Sequence, residues 1–344
     1  MTQPLVIKFG GDALATPERI AAAARRIIRR RGERPVLAVA SARRGVTDHL
    51  LALVDQVREA SGFAGTRAAA SAADRVVTSG EIVAASLLAL ALAELGVPAV
   101  ALDAREAGLR ADPRAGAGGL LSVEAARVRR LLDRGIVPVV TGFQGWYRGR
   151  VAALGRGGSD VTAVALAGAL GSAACELVKD PGALHTADPK LVPEARPIPR
   201  AGHGFVTDLA HAGARVLHRD AAVRAERDGV PLRFTSLHAD GEPATRIDPG
   251  AGGRAAAIVL APGGDLEGAG MTRVTAVLHR DDVAREEALL HGARATGIDI
   301  LQTTHAHHGP SFLVRSTDGV ALLRHVHAAL LASIAAEGAA PAMR

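Results

Sequence analysis

The segment Leu154-Gly155-Arg156-Gly157-Gly158-Ser159-Asp160 sets three glycines, a guanidinium, a hydroxyl and a carboxylate directly ahead of an apolar stretch of helical character. Glycines let backbone N–H groups approach an anion with no Cβ in the way. An arginine beside a helix start adds a forked, charge-assisted donor. Ser159 and Asp160 are suited to cap a helix over 161–170. Taken alone, the segment fits either a capped helix start or an anion site.

A second segment points to the anion site. Leu5-Val6-Ile7-Lys8 reads as a short buried strand that runs into Phe9-Gly10-Gly11 and then into a helix over Pro17–Arg31. Strand, glycine turn and helix in that order cradle phosphates in α/β proteins, although neither the GxGxxG nor the Walker pattern is present. Lysine occurs only at positions 8, 179 and 190, arginine supplying the other positive charge. A lysine at a strand end against glycines therefore reads as a point charge for phosphate.

The elements that must position these groups alternate along the chain. Strands are expected at 35–40, 97–102, 136–141, 175–178 and 231–235, separated by amphipathic helices over 46–60, 67–95 and 122–134. Such alternation implies a largely parallel sheet covered by helices on both faces. Glycine-rich boundaries follow at 248–254 and 262–264. Beyond them the pattern predicts a strand at 273–278, a helix at 283–296, strands at 298–303 and 311–314, and a helix at 319–335, with 255–260 as an extra strand.

Composition narrows the classes. The 344 residues suffice for two domains. The net charge of +6 is carried almost wholly by arginine, and with aromatics at 2% there is little to stack on bases, so nucleic acid is not the expected partner. Cys175 is the single cysteine, which excludes an intrachain disulfide and a cysteine-based metal cluster. The most apolar run, 82–95, is shorter than the roughly 18 residues of a membrane span, and the N-terminus lacks a signal-peptide pattern. A cytoplasmic protein with no membrane partner is expected. His305, His307 and His308 carry metal-ligand side chains, but no carboxylate set matches them in the sequence, and a hairpin turn is the expectation.

The glycine loop and Lys8-Phe9-Gly10-Gly11 are joined by Ser41-Ala-Arg-Arg-Gly-Val-Thr47-Asp48, Thr78-Ser-Gly-Glu81, Val139-Val-Thr-Gly-Phe-Gln-Gly145, Thr186-Ala-Asp-Pro-Lys190 and Gly213-Ala-Arg-Val-Leu-His218. In this order and spacing over residues 4–247, the chain resembles aspartate kinases of the amino-acid kinase superfamily. The resemblance implies a three-layer αβα sandwich with a mainly parallel sheet over 1–250. It also implies a small α+β ACT-like regulatory or dimerisation domain over 265–336, a tail over 337–344 and a homodimer. One such module is encoded where the family commonly carries two, so weak amino-acid feedback is expected.

The implied reaction is ATP-dependent phosphorylation of the side-chain carboxylate of aspartate or a close acidic amino acid, with Mg²⁺ bridging the nucleotide phosphates. Two anions must meet, so the site needs positive charge and preorganised donors more than a nucleophile. By resemblance Lys8 and Asp160 are catalytic. Arg156 grips the α-carboxylate, Glu81 accepts from the α-ammonium, Ser41 and Thr47 place the side chain, and Phe143 and Ser159 shape the pocket. The nucleotide falls to Lys8, Phe9, Gly10, Gly11, Lys179, Asp180, His185, Lys190 and Arg215. Lys179, His185, Lys190 and Arg215 replace the family's Thr, Tyr, Arg and Lys. Asp12 and Ala13 replace its Thr-Ser, and Ala84 and Ala153 remove further hydroxyls. Asp12 is a candidate metal ligand, or is compensated by Arg43 and Arg44. Three readings stay open: a kinase for aspartate or a modified acidic amino acid, a superfamily kinase with another acidic substrate, and a noncatalytic nucleotide- or amino-acid-binding regulator.

Overall fold

The computed structural model describes residues 2–62, 66–112, 119–155, 157–239, 244–250, 255–262, 270–279 and 282–339. Parts of both expected linkers, 251–254 and 263–264, and the first residues of the expected ACT-like module, 265–269, lie outside them. In chain order the elements begin β1 (Leu5–Phe9), a 3₁₀ turn (Asp12–Leu14), α1 (Pro17–Arg31), β2 (Val36–Ala40), α2 (Val46–Ser61), α3 (Arg67–Val77) and α4 (Ser79–Glu94). They continue with β3 (Ala99–Leu102), β4 (Leu109–Ala111), β5 (Leu120–Val123), α5 (Ala126–Asp133), β6 (Val137–Thr141), β7 (Gln144–Tyr147), β8 (Arg150–Ala153), α6 (Gly158–Leu170) and β9 (Ala174–Val178). Then come β10 (Leu184–His185), β11 (Pro197–Ile198), β12 (Arg200–Gly202), α7 (His203–His211), α8 (Arg219–Arg227), β13 (Leu232–Thr235) and β14 (Thr245–Asp248). The chain closes with β15 (Ala257–Pro262), β16 (Met271–Val277), α9 (Val283–Arg294), β17 (Gln302–Ala306), β18 (Gly309–Arg315) and α10 (Ser316–Ala339).

Two compact units form, the first from residues 1–183 and 220–249, the second from 184–219 and 250–344. In the first, the main sheet runs β14-β13-β9-β1-β2-β6-β3. All pairings but β13 with β14 are parallel. β1 sits at the centre with every residue buried, as an apolar strand covered on both faces must be. Alternation sends Leu5, Ile7 and Phe9 into the core shared with α1 and α4. Val6 and Lys8 face the other way, toward α6. That helix is apolar all round and buried along its length, as a central layer helix should be. A guanidinium of α5 reaches its end, Arg129 donating to the Ala169 carbonyl at 3.0 Å. The fold is therefore a three-layer αβα sandwich. A second, four-stranded sheet, β5-β4-β7-β8, adjoins it and had no counterpart among the expected strands.

Local chemistry explains the helix limits. Thr16 caps α1 by accepting from the Arg19 N–H, Pro17 takes the first position, and Ile20, Ala23, Ala24 and Ile27 form its buried stripe. The single helix expected over 67–95 is instead α3 and α4, divided at Thr78. The segment 122–134 likewise splits into the end of β5 and α5.

The stretches Ala68–Glu94 and Ser316–Ala336 are long and apolar enough to cross a membrane by length and composition, which corrects the reading that no run is. Packing accounts for both: α4 buries Ala84, Ala85, Leu88 and Leu92 in the main core, and α10 buries Leu322, Leu323, Val326 and Leu330 in the second unit's core. In that second unit β15-β16-β18-β17 form an antiparallel sheet covered by α9 and α10. The strand expected at 298–303 lies instead at Gln302–Ala306.

One buried charge cluster went unread. Glu176, in the otherwise apolar β9, receives Arg26 at 3.0 Å and Arg30 at 2.7 Å, and Arg26 also donates to the Ala239 carbonyl at 3.0 Å. These bonds pin α1 to β9. Replacing Arg26 with alanine leaves Glu176 Oε2 without its guanidinium while Arg30 still holds Oε1, and urea denaturation of Arg26→Ala should show a loss of about 1.5–3 kcal/mol. The exposed neighbour Arg25→Ala should stay within about 0.5 kcal/mol of the parent.

Candidate functional site

Because β1, β2, β6 and β9 are parallel neighbours, the loops that follow them emerge along one edge of the sheet, where ligands of open α/β sheets bind. Those loops hold Gly10, Gly11 and Asp12, then Ser41 to Arg44, then Gly142 and Phe143, then Lys179 and Asp180. The N-terminus of α6 points into the same group: a Cβ on Gly142 would fall 2.5 Å from the Ser159 hydroxyl, and one on Gly158 3.1 Å from the Phe143 ring. Phe143 holds a left-handed backbone, φ 62°, which is strained for an aromatic residue.

Lys8 Nζ lies 2.8 Å from Asp160 Oδ1, both residues about 8% exposed. The expectation that Ser159 and Asp160 cap the helix is corrected. Gly157, at φ 72°, is the N-cap and makes no side-chain bond, so α6 starts at Gly158 and both residues fall in its first turn. That early start turns Asp160 toward β1 and Ser159 toward Gly142.

The β1 and β2 loops are locked together. Gly10 N–H donates to the Val178 carbonyl at 3.1 Å, Ser41 N–H to Phe9 at 3.2 Å, and Arg44 N–H to Gly11 at 3.1 Å. A Cβ on Gly11 would stand 2.8 Å from the Ala42 carbonyl oxygen, so only glycine allows this approach. Asp12 forms an ion pair with Arg44, while Arg43 donates to the Ala15 carbonyl. Of the two arginines considered as partners for Asp12, the structure selects Arg44.

Glu81, in the first turn of α4, is 3% exposed. Its Oε1 accepts from the Ala42 N–H at 3.1 Å, and its Oε2 is buried with no hydrogen-bond partner among the described residues. Burial pushes its pKa up to about 7, against the lowering effect of the Ala42 bond. Gln144, which donates to the Thr78 carbonyl at 3.2 Å, fixes the start of α4 and was not among the expected site residues, although it lies in the quoted 139–145 motif. Ser41 and Thr47 are half-buried, and Thr47 sits in the first turn of α2 behind an N-cap supplied by Gly45 at φ 77°.

Among the nucleotide candidates, the Lys179 ammonium lies 5.5 Å from the Phe234 ring centre, and burial pulls its pKa down. Asp180 pairs with Arg19 at 2.7 Å. His185 on β10, Lys190, whose N–H donates to Asp188, and the exposed Arg215 all belong to the second unit. Arg156 lies outside the described residues. Asp12, Asp160 and Asp180 are each already paired with a cation.

The buried carboxyl gives a stability test. A folded-state pKa near 7, above the ordinary 4.5, means that stability present at low pH is lost as pH rises from about 4.5 through 7. Glu81→Gln keeps an acceptor for Ala42 and removes the titration. Denaturant midpoints should show the variant gaining on the parent by on the order of 2–4 kcal/mol between pH 4.5 and 8; equal pH profiles would contradict an elevated pKa.

A family model described as amino acid kinase family matches residues 3–236. An aspartokinase of Thermus thermophilus is 40% identical over 235 residues, 67% of this chain and 56% of that protein. One of Corynebacterium efficiens is 36% identical over 246 residues, 71% of this chain and 56% of that protein. The crystal structure of aspartate kinase from Synechocystis aligns over 98% of this chain and 56% of its own, at 31% identity and a TM-score of 0.61. That of E. coli aspartokinase III in complex with aspartate and ADP aligns over 96% of this chain and 100% of its own, at 21% identity and a TM-score of 0.79, a likeness of fold. With the parallel sheet, the glycine loops and this match in hand, the chain belongs to the amino acid kinase family. It spans just over half the length of the curated relatives it matches.

Proposed function

We propose that the protein transfers the γ-phosphoryl group of ATP to the side-chain carboxylate of aspartate or a close acidic amino acid, giving an acyl phosphate. The observation that carries this reading is the unpartnered Oε2 of Glu81, a buried acceptor on a carboxylate tied to the loop that follows β2. An α-ammonium group supplies the donor it lacks. Lys8 and the Gly11 amide offset the repulsion between phosphate and carboxylate, the Gly10 N–H being taken by the Val178 carbonyl, with Asp160 holding the ammonium in place. Arg156 takes the α-carboxylate, Ser41 and Thr47 the side chain, and Phe143 and Ser159 bound the pocket. Lys179 and Asp180 are the nucleotide side of this unit, and magnesium enters with the ATP as co-substrate. Residues 265–336 serve as an ACT-like module through which a homodimer forms, and the protein works in the cytoplasm.

The test is ADP release and hydroxamate formation with MgATP and a panel of acidic amino acids. Turnover dependent on aspartate or an aspartate analogue is expected, and Lys8→Met, checked for retained fold, should lower kcat by at least ~10²-fold. ATP turnover indifferent to every acidic amino acid would reject the reading.

A second outcome follows from Glu81. Its carboxylate forms a charged pair with an ammonium only when ionised, so KM for the amino acid should rise as pH falls below about 7, by up to about tenfold per pH unit. Glu81→Gln should show a higher KM with no such slope.

A further inference from the structure

Within the second unit, three metal-ligating side chains distant in sequence come together. Asp208 lies on α7, and His307 and His308 form the turn between β17 and β18. Asp208 Oδ1 and His307 Nε2 are 2.7 Å apart across 99 residues of chain, and one ligand atom from each of the three residues lies within 4.8 Å of the others. The sequence showed no matching carboxylate because only the fold supplies it.

The arrangement is built rather than incidental. His308 is nine-tenths buried, and its Nδ1 has no hydrogen-bond partner among the described residues. Its carbonyl accepts from the Leu278 N–H at 2.8 Å. A Cβ on Gly309 would stand 2.8 Å from the Ala276 carbonyl oxygen, so glycine lets the hairpin tip press against the end of β16. The turn is thereby fixed over α7. His307 has a side chain 54% exposed and leaves a path for an ion, whereas Asp208 is 12% exposed. His305 is set apart, paired with Glu286 of α9 at 2.7 Å.

We propose that Asp208, His307 and His308 form a binding site for a divalent transition-metal ion of the zinc type. Two imidazoles and one carboxylate suit zinc, cobalt or nickel and not the all-oxygen preference of magnesium or calcium. Three protein ligands leave one tetrahedral position for water or a fourth side chain. In the metal-free state the His307–Asp208 hydrogen bond occupies the place of the ion, and entry of the metal displaces that proton and opens the pair by a small rotation. The ion would clamp α7 to the β17–β18 hairpin.

The test uses tag-free protein stripped with chelator and titrated with Co²⁺, read by visible ligand-field absorption, with Zn²⁺ as competitor. One equivalent is expected to bind with intensified bands that Zn²⁺ abolishes. His307→Ala and Asp208→Asn should weaken binding at least tenfold, and His305→Ala should leave it unchanged. The half-exposed His307 can be truncated without entering the core, so loss of binding there cannot be put down to unfolding once circular dichroism matches the parent. Absence of stoichiometric binding, or an affinity in His307→Ala and Asp208→Asn equal to the parent's, overturns the proposal. Kinase activity is not the readout, so the result is independent of the transfer reaction.

Discussion

A lysine in the central strand of a parallel sheet is the constraint around which the first unit is arranged. Lys8 is sealed by β2 and β9 at its sides and α6 above. Holding an ammonium there costs several kcal/mol in lost hydration, which an ion pair offsets only with good geometry. Asp160 supplies that geometry at 2.8 Å from the first turn of α6, where the helix dipole also favours a carboxylate. The pair sets the register of α6 on the sheet and aims one positive charge at the strand end. Its field reaches further: Cys175, buried in the adjacent strand, has its thiol pKa raised by burial first and by Asp160 second, which keeps it inert.

Parallel topology then does the gathering. Four neighbouring strands deliver their following loops to one edge, and two glycines decide how closely those loops meet. At Gly11 the approach to the Ala42 carbonyl brings the glycine turn after β1 against the segment whose N–H holds Glu81. At Gly142 the approach to Ser159 seats the β6 loop on the α6 start. Remote segments are thus tied by backbone contacts, a more rigid support than long side chains give.

What could be read from sequence divides along physical lines. The bounds of α1 were legible because Thr16, Pro17 and Gly32 act locally, and β1, β2, β6, β9 and β13 were legible as continuous apolar runs. Lys8, Gly10 and Gly11 stood out because glycine after a strand has few other uses. Misreadings arose where distant contacts override local preference. Ser159 and Asp160 are good capping residues, yet a left-handed Gly157 and the pull of Lys8 put them inside the helix. Continuous helix propensity over 67–95 gives no sign of the break at Thr78, which Gln144 stabilises from another sheet. Glu176 in an apolar strand and Asp208 beside two histidines are pairings across more than ninety residues, beyond any window of periodicity.

The departures from the family pattern also look different in three dimensions. Ala13 and Ala84 are buried in the main core among apolar side chains, so the hydroxyls lost there leave packed positions and not gaps in a ligand pocket. Ala153, at the end of β8, is likewise buried, which leaves Asp12 among the changes around the acceptor. Its side chain is 38% exposed, and that of Arg44 73%, so their ion pair stands at the rim in water and contributes little to stability. The loop geometry is already fixed by the bonds of Gly11 with Arg44 N–H and of Arg43 with Ala15, independent of that pair. A pair that contributes so little to the fold acts through charge alone: Arg44 cancels the carboxylate of Asp12 beside the glycine turn after β1. The substitution at 12 and the arginine at 44 therefore make sense only together, as one electrostatic unit on the approach to the site.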